Sequence, residues 1–289
     1  MDHDSFCTQA WTDHGERPEA VAERLPTGAA LVQTPGHAAA QARLVAHVLG
    51  EHLGRWSDAL AQLTPLQPLA DADPVARAAV QRQRLAVAWS AGDTAALATA
   101  GLSPSEHIGT LALAASLLAG HADPDRGLAA YAAAQSAEAA LPLPDTDPAV
   151  RALAANANNI AASLEERAAR TPTQTAGMLV MADAALRHWA RAGTWLEVER
   201  AHWRLARCHL AAGDAVAATR SAAAGLAICD NHDAPAFERF FLHVVQARAA
   251  HAVGDAAGVA EARQATLSTL AQVPADDRTW CQADLESLP

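Results

Sequence analysis

Lysine is absent from this chain. All 21 basic residues are arginine, and 32 acidic residues leave a formal net charge of −11. A surface this acidic argues against a general nucleic-acid binder, whose affinity comes from neutralising phosphates. Aromatic residues are scarce at 4 % of the chain, although 51 % of it is hydrophobic. Alanine and leucine must therefore carry the packing. Runs of β-branched residues, the material of strands, are almost missing too, and the two shortages together predict an all-α protein of closely approaching helices. No apolar window is long enough to cross a bilayer, because arginine, aspartate, glycine and proline interrupt the alanine-rich stretches. The segment 1–12 lacks the basic start and apolar centre of a secretory signal. Cys7, Cys208, Cys229 and Cys281 stand far apart with no paired spacing, which predicts free thiols in a reducing compartment. The expectation is a cytoplasmic protein with neither membrane nor nucleic acid as partner.

Motifs that carry chemistry are missing as well. There is no glycine-rich phosphate loop, no Gly-x-Ser-x-Gly elbow and no His-Glu-x-x-His helix. Thr34-Pro35-Gly36-His37 reads as a helix start. His202 and His209 are seven residues apart and share a helix face, but two turns is too long a span for one ion. The thirteen histidines are accordingly read as packed or surface residues. Glu165-Glu166 and the pair Glu197 and Glu199, each near arginines, read as solvated faces. No catalytic residue, metal or cofactor is expected.

What is present is a repeated pattern. In the stretch 194–233, Leu196, Val198, Trp203, Leu205, Ala206, His209 and Leu210 recur at the spacing of a helix buried on one side. Gly213 can turn the chain left-handed, and Asp214 can cap a second helix, 215–228. The pattern returns 41 positions later: a helix over 237–253, the turn Gly254-Asp255, and a helix over 256–270. Ala201, Leu205, Ala206, Gly213, Asp214, Ala218 and Leu226 fall on the small and apolar signature positions of the tetratricopeptide repeat, which this arrangement resembles. His202 stands where an aromatic is usual, Ala222 is smaller than the usual residue, and Gly225 replaces a common alanine. The spacing exceeds that repeat's period of about 34. It is similar to the kinesin light chain variety, whose Asn-Asn-Leu-Ala opening Asn158-Asn159-Ile160-Ala161 resembles. The resemblance implies a right-handed superhelical stack of antiparallel helix pairs, an α-solenoid, with residues 276–288 as a capping helix bearing Trp280 and Leu285.

Along the chain, residues 1–141 read as irregular repeats. Gly15, Gly54, Gly92 and Gly120, at intervals of 39, 38 and 28, mark candidate turns, and Leu25-Pro26-Thr27-Gly28 a helix break. Further helices are expected over 37–53, 57–63, 75–90, 94–100, 108–119 and 126–141, with Thr64-Pro65 and Gln67-Pro68 closing one pair. Residues 142–148 form a proline-rich break, either a hinge or a long loop between repeats. Residues 149–289 hold the better repeats, including a pair over 149–169 and 173–192 in which Pro172 takes the first helical position.

In tetratricopeptide arrays the first helix of each pair lines a concave groove that holds a partner's peptide. Carried over, the resemblance places Arg200, Trp203 and Arg207, then Phe241, Arg248 and His251, and near the same wall Asn158 and Asn159, at the groove. The side chains suit that use. Asparagine both donates to and accepts from a peptide backbone, while two arginines seven apart about a tryptophan suit an acidic segment or a free C-terminal carboxylate. Between Arg151 and Leu210, eight arginines face five acidic residues. The competing reading makes Trp203 part of the core and pairs the arginines with Glu197, Glu199 or Asp183. The leading expectation is a non-enzymatic adaptor that binds a peptide segment of a protein partner. The alternatives are a sensor taking a small peptide or small molecule, and a helical enzyme with a scattered site.

Overall fold

Proline sets where many of the helices begin. In the computed structural model, which describes residues 1–289, helices start on Pro18, Pro35, Pro74, Pro104, Pro124, Pro148 and Pro172. The missing N–H costs nothing there, because the first helical donors have no partner inside the helix. The preceding residue is often the cap: Thr34, Asp73, Ser103, Asp123 and Thr171 each accept a backbone N–H from the first turn. The fold is all-α, with no strand.

Glycine–aspartate pairs set where three helices end. Gly92, Gly213 and Gly254 have φ of 104°, 83° and 75°, the left-handed region that glycine enters without steric cost. The N–H groups of Asp93, Asp214 and Asp255 then reach back to the carbonyls of Ala88, His209 and Ala250, and their carboxylates cap the next helix on the N–H groups of Ala96, Ala217 and Gly258. One device thus closes one helix and opens its partner, as expected for 213–214 and 254–255. Gly15 and Gly120 do not act this way. Gly15 has no positive φ, and Gly120 is the last residue of a helix, packed against Glu51.

The chain forms two compact units, Met1–Ile160 and Ala161–Pro289. The first contains α1 (His3–Asp13), α2 (Pro18–Ala30), α3 (Pro35–Val45), α4 (Trp56–Leu63), α5 (Gln67–Ala70), α6 (Pro74–Ser90), α7 (Thr94–Thr99), α8 (Pro104–Gly120), α9 (Pro124–Ala140) and most of α10 (Pro148–Glu165). Its core runs through Phe6, Leu25, Leu44, Leu49, Leu63, Val80, Val87 and Leu117. The helix α3 passes directly into a π-helical segment, Ala46–His52. Two expected breaks are absent. The helix α2 continues through Pro26, since Val21, Ala22, Leu25 and Gly28 are all buried and that burial outweighs one lost hydrogen bond. The chain after Leu63 keeps turning through a 3₁₀ segment, Thr64–Leu66, into α5. The proline-rich stretch does separate α9 from α10, while the boundary between units lies inside α10.

The second unit contains α11 (Pro172–Ala192), α12 (Trp195–Ala211), α13 (Ala215–Asn231), α14 (Ala236–Ala252), α15 (Ala256–Leu270) and α16 (Arg278–Glu286). Consecutive helices pack as pairs, α12 with α13 and α14 with α15, and α13 also lies against α14. Burial is shared out in small clusters: Ala206, Ala222, Cys229, Leu242 and Val245 form one, Phe240, Val244, Val273 and Cys281 another. A methyl at Gly225 would stand 2.8 Å from the Leu242 Cδ2 of α14, so the leucine fills the space an alanine would take. No helix is long and apolar enough to cross a membrane.

Candidate functional site

The helices α12 and α14, each the first of its Gly–Asp hairpin, pack together, and α16 packs on α14. Where they meet, Glu199, Arg200 and Trp203 of α12, Phe237, Glu238 and Phe241 of α14, and Trp280 of α16 line a cleft of about 300 Å³. The walls are aromatic because the helical period repeats an aromatic every turn. Phe237 and Phe241, four apart, meet edge to face at 5.0 Å, and Trp203 meets Phe241 at 5.9 Å. Such edge contacts stabilise by about 0.5–1.5 kcal/mol beyond burial. Phe240, one residue before Phe241, is fully buried and meets the Phe241 ring edge to face at 5.1 Å.

The polar side of the cleft is a chain of paired charges. The Arg200 guanidinium donates from Nε and Nη2 to the two carboxylate oxygens of Glu238 at 3.0 and 2.6 Å. Beside them Glu199 is only 1 % exposed, and its Oε2 has no hydrogen-bond partner. Burial above all, then the charge of Glu238, raises the Glu199 pKa to about 8, against the opposing pull of Arg200. Glu199 is therefore a protonated acid at neutral pH. The pKa of Arg200 is raised in turn by its bond to Glu238.

A second network lies further along α12. Arg204 donates to Glu165 Oε2 at 2.6 Å, and Arg207 grips both oxygens of the same carboxylate at 2.8–3.2 Å. Both guanidinium groups lie about 5 Å from the Trp203 ring, within cation–π range. Burial opposes the charge on Arg207, and the bonds to Glu165 outweigh it, so its pKa is raised. Glu165 and Glu199 are not the solvated carboxylates that their arginine neighbours suggested: the Glu165 side chain is 12 % exposed.

Of the eight residues singled out in the sequence, the cleft gathers Arg200, Trp203 and Phe241. Arg207 is held on Glu165, and Arg248 donates to Asp284 and the Ser287 hydroxyl. His251 lies exposed near the end of α14. Asn158 is half-buried and Asn159 exposed on α10, within the first unit. No protein-family model matches this chain, and no curated protein matches it either. Of the cleft's remaining residues, the sequence reading gives Glu199 and Trp280 other roles, a solvated or arginine-paired carboxylate and a cap, and gives Phe237 and Glu238 none. Phe237 was legible, four residues before Phe241. Of the two residues expected to pack as a cap, Leu285 lies against the core with Cys281 four residues before it, while Trp280 is 73 % exposed.

The thiols are free as expected. Burial pushes Cys208 up to about 12, against the pull of Arg204, and Cys229 up to about 11, so neither carries a thiolate at neutral pH.

Proposed function

We propose that the protein is a non-enzymatic cytoplasmic adaptor, built of tetratricopeptide-like helix pairs, that docks a segment of a partner protein in the cleft between α12, α14 and α16. The observation that carries this reading is the exposed Trp280 facing the half-buried Trp203, Phe237 and Phe241 across a cleft of about 300 Å³. Aromatic anchors around a desolvated pocket are where binding energy concentrates. The arginines play a supporting part. Glu238 already fills the fork of Arg200, and Glu165 that of Arg207, so an acidic segment would compete with carboxylates in place. The occupant that fits is a segment presenting one large apolar or aromatic side chain, its neighbouring backbone N–H groups reaching Glu238 and Glu199.

Affinity capture with the native protein beside Trp280→Ala tests this. The tryptophan is exposed, so its removal leaves the core intact. Loss of an aromatic anchor costs about 2 kcal/mol or more, near thirtyfold in affinity. The Arg200→Ala, Arg207→Ala pair should retain the partners if it remains folded. Equal recovery by native protein and Trp280→Ala would dismiss the cleft as the docking site.

A further inference from the structure

Three histidines from distant points of the sequence converge in the first unit. His14 follows the last turn of α1, and His47 and His52 lie on the π-helical segment that continues α3. Ring centroids are 4.6 Å apart for His47 and His52, 4.8 Å for His14 and His47, and 5.3 Å for His14 and His52. One ring nitrogen from each lies within 4.8 Å of the others.

The geometry points to a divalent transition-metal site of the zinc class, ligated by His14, His47 and His52. The hydrogen bonds decide which nitrogens are free. His14 Nδ1 lies 2.6 Å from the Trp11 carbonyl, which can only accept, so that nitrogen carries the proton and Nε2 keeps its lone pair. His47 Nδ1 lies 2.7 Å from Glu51 Oε2, and donation to the carboxylate leaves the His47 Nε2 lone pair free as well. His52 Nε2 then stands 3.1 Å from His47 Nε2. A bound histidine whose second nitrogen donates to a carboxylate or carbonyl is the usual arrangement around a metal, because it fixes the tautomer and raises ligand basicity. With Zn–N bonds of about 2.0–2.1 Å, ligand nitrogens of a tetrahedral ion sit about 3.4 Å apart. The His47–His52 pair is close to that spacing already, and a ring nitrogen of His14 lies within 4.8 Å of both.

The π turn brings the set together. Residues five apart diverge around an α-helix, whereas a turn closed by i→i+5 bonds lays them over one another. Glu51 and His52 can thus both stand beside His47. Imidazole nitrogens without a thiolate select zinc, cobalt, nickel or copper over calcium or magnesium. Three ligands leave the fourth tetrahedral position to water, and the ion ties the end of α1 to the π segment.

Metal-free protein titrated with Co²⁺ provides the test, read by the visible absorption of tetrahedral cobalt and by the thermal unfolding midpoint. One equivalent should bind and raise the midpoint by several degrees. His52→Ala should weaken binding more than tenfold, and Glu51→Gln, which keeps the shape but loses the charge behind His47, by about 10–100-fold. His37→Ala lies in the neighbouring His3–His37 stack and should leave the titration unchanged. Far-UV circular dichroism and the metal-free midpoint identify any variant that unfolds; should His52→Ala do so, Glu51→Gln decides. Absence of the cobalt spectrum, or binding that survives both of these changes and disappears in His37→Ala, overturns the assignment. A plain hydrogen bond between His47 and His52 would then account for the rings.

Discussion

With its side chain 1 % exposed beneath aromatic walls, and Glu238 beside it, Glu199 keeps its proton far above the ordinary carboxylate range, to about 8. The sign of the consequence is fixed by proton binding. Between the ordinary glutamate value of about 4.5 and about 8, the folded state holds a proton that the unfolded chain has released, so stability falls as pH rises through that window. Below it the contribution is complete, and above it lost. Glu199→Gln keeps a neutral side chain of similar shape and removes the titration. Urea unfolding of the variant should therefore show a flatter dependence between pH 5 and about 8, and the variant should exceed the native protein in stability on the alkaline side. An unchanged slope would mean that Glu199 titrates normally.

Helix pairing in α8 and α9 depends on backbone approach. A Cβ added at Gly127 would lie 2.8 Å from the Ala115 carbonyl oxygen and 3.0 Å from the Ala119 Cβ. A carbonyl within a helix cannot swing away as a side-chain tip can, so the two helices must part. Gly127→Ala is expected to cost about 1–3 kcal/mol by denaturant unfolding, the usual range for overpacking. Gly225→Ala is crowded by the Leu242 methyl groups, at 2.8 and 3.1 Å, while the His202 Cβ at 3.5 Å is an ordinary contact, and it should cost less. Equal losses at the two sites would show that backbone approach does not limit the α8–α9 pair. The same scale explains the π segment. His47 and His52 carry no α-helical spacing, and a reading based on turns of 3.6 residues passes over them; His14, 33 positions upstream of His47, cannot be joined to them by pattern at all.

Across the whole chain the charge balance of −11 and the lack of lysine set what the surface attracts. In the arginine-rich stretch around α12, Glu165 holds Arg204 and Arg207 together and Glu238 holds Arg200, so three guanidinium groups are engaged by two carboxylates rather than offered to phosphate. Fluorescence anisotropy with a labelled duplex should show no binding at about 0.15 M salt, where the screening length is about 8 Å. Binding that weakens steeply with salt would reveal a basic surface. The second unit distributes its burial over small clusters between successive helices, as expected where each helix pair is stabilised mainly by its neighbours.

Local rules sufficed for most of the helices and their ends, though not at Pro26 or Thr64-Pro65, where the chain keeps turning. Proline at the first turn, a capping Ser, Thr or Asp before it, and Gly–Asp after the last turn act within a few residues, so their outcome was legible in the chain. Arg200, Trp203 and Phe241 are singled out only through the resemblance to tetratricopeptide arrays, which puts them on the first helices of their pairs. What the tertiary structure alone decided is which charges meet and which way α16 faces. Glu165 lies 39 positions from Arg204 and Glu238 lies 38 from Arg200, and no periodicity links residues on different helices. Ion pairing, a raised pKa and the exposure of Trp280 arise only when separate helices are packed together, because desolvation and Coulomb energy depend on distance in space rather than along the chain.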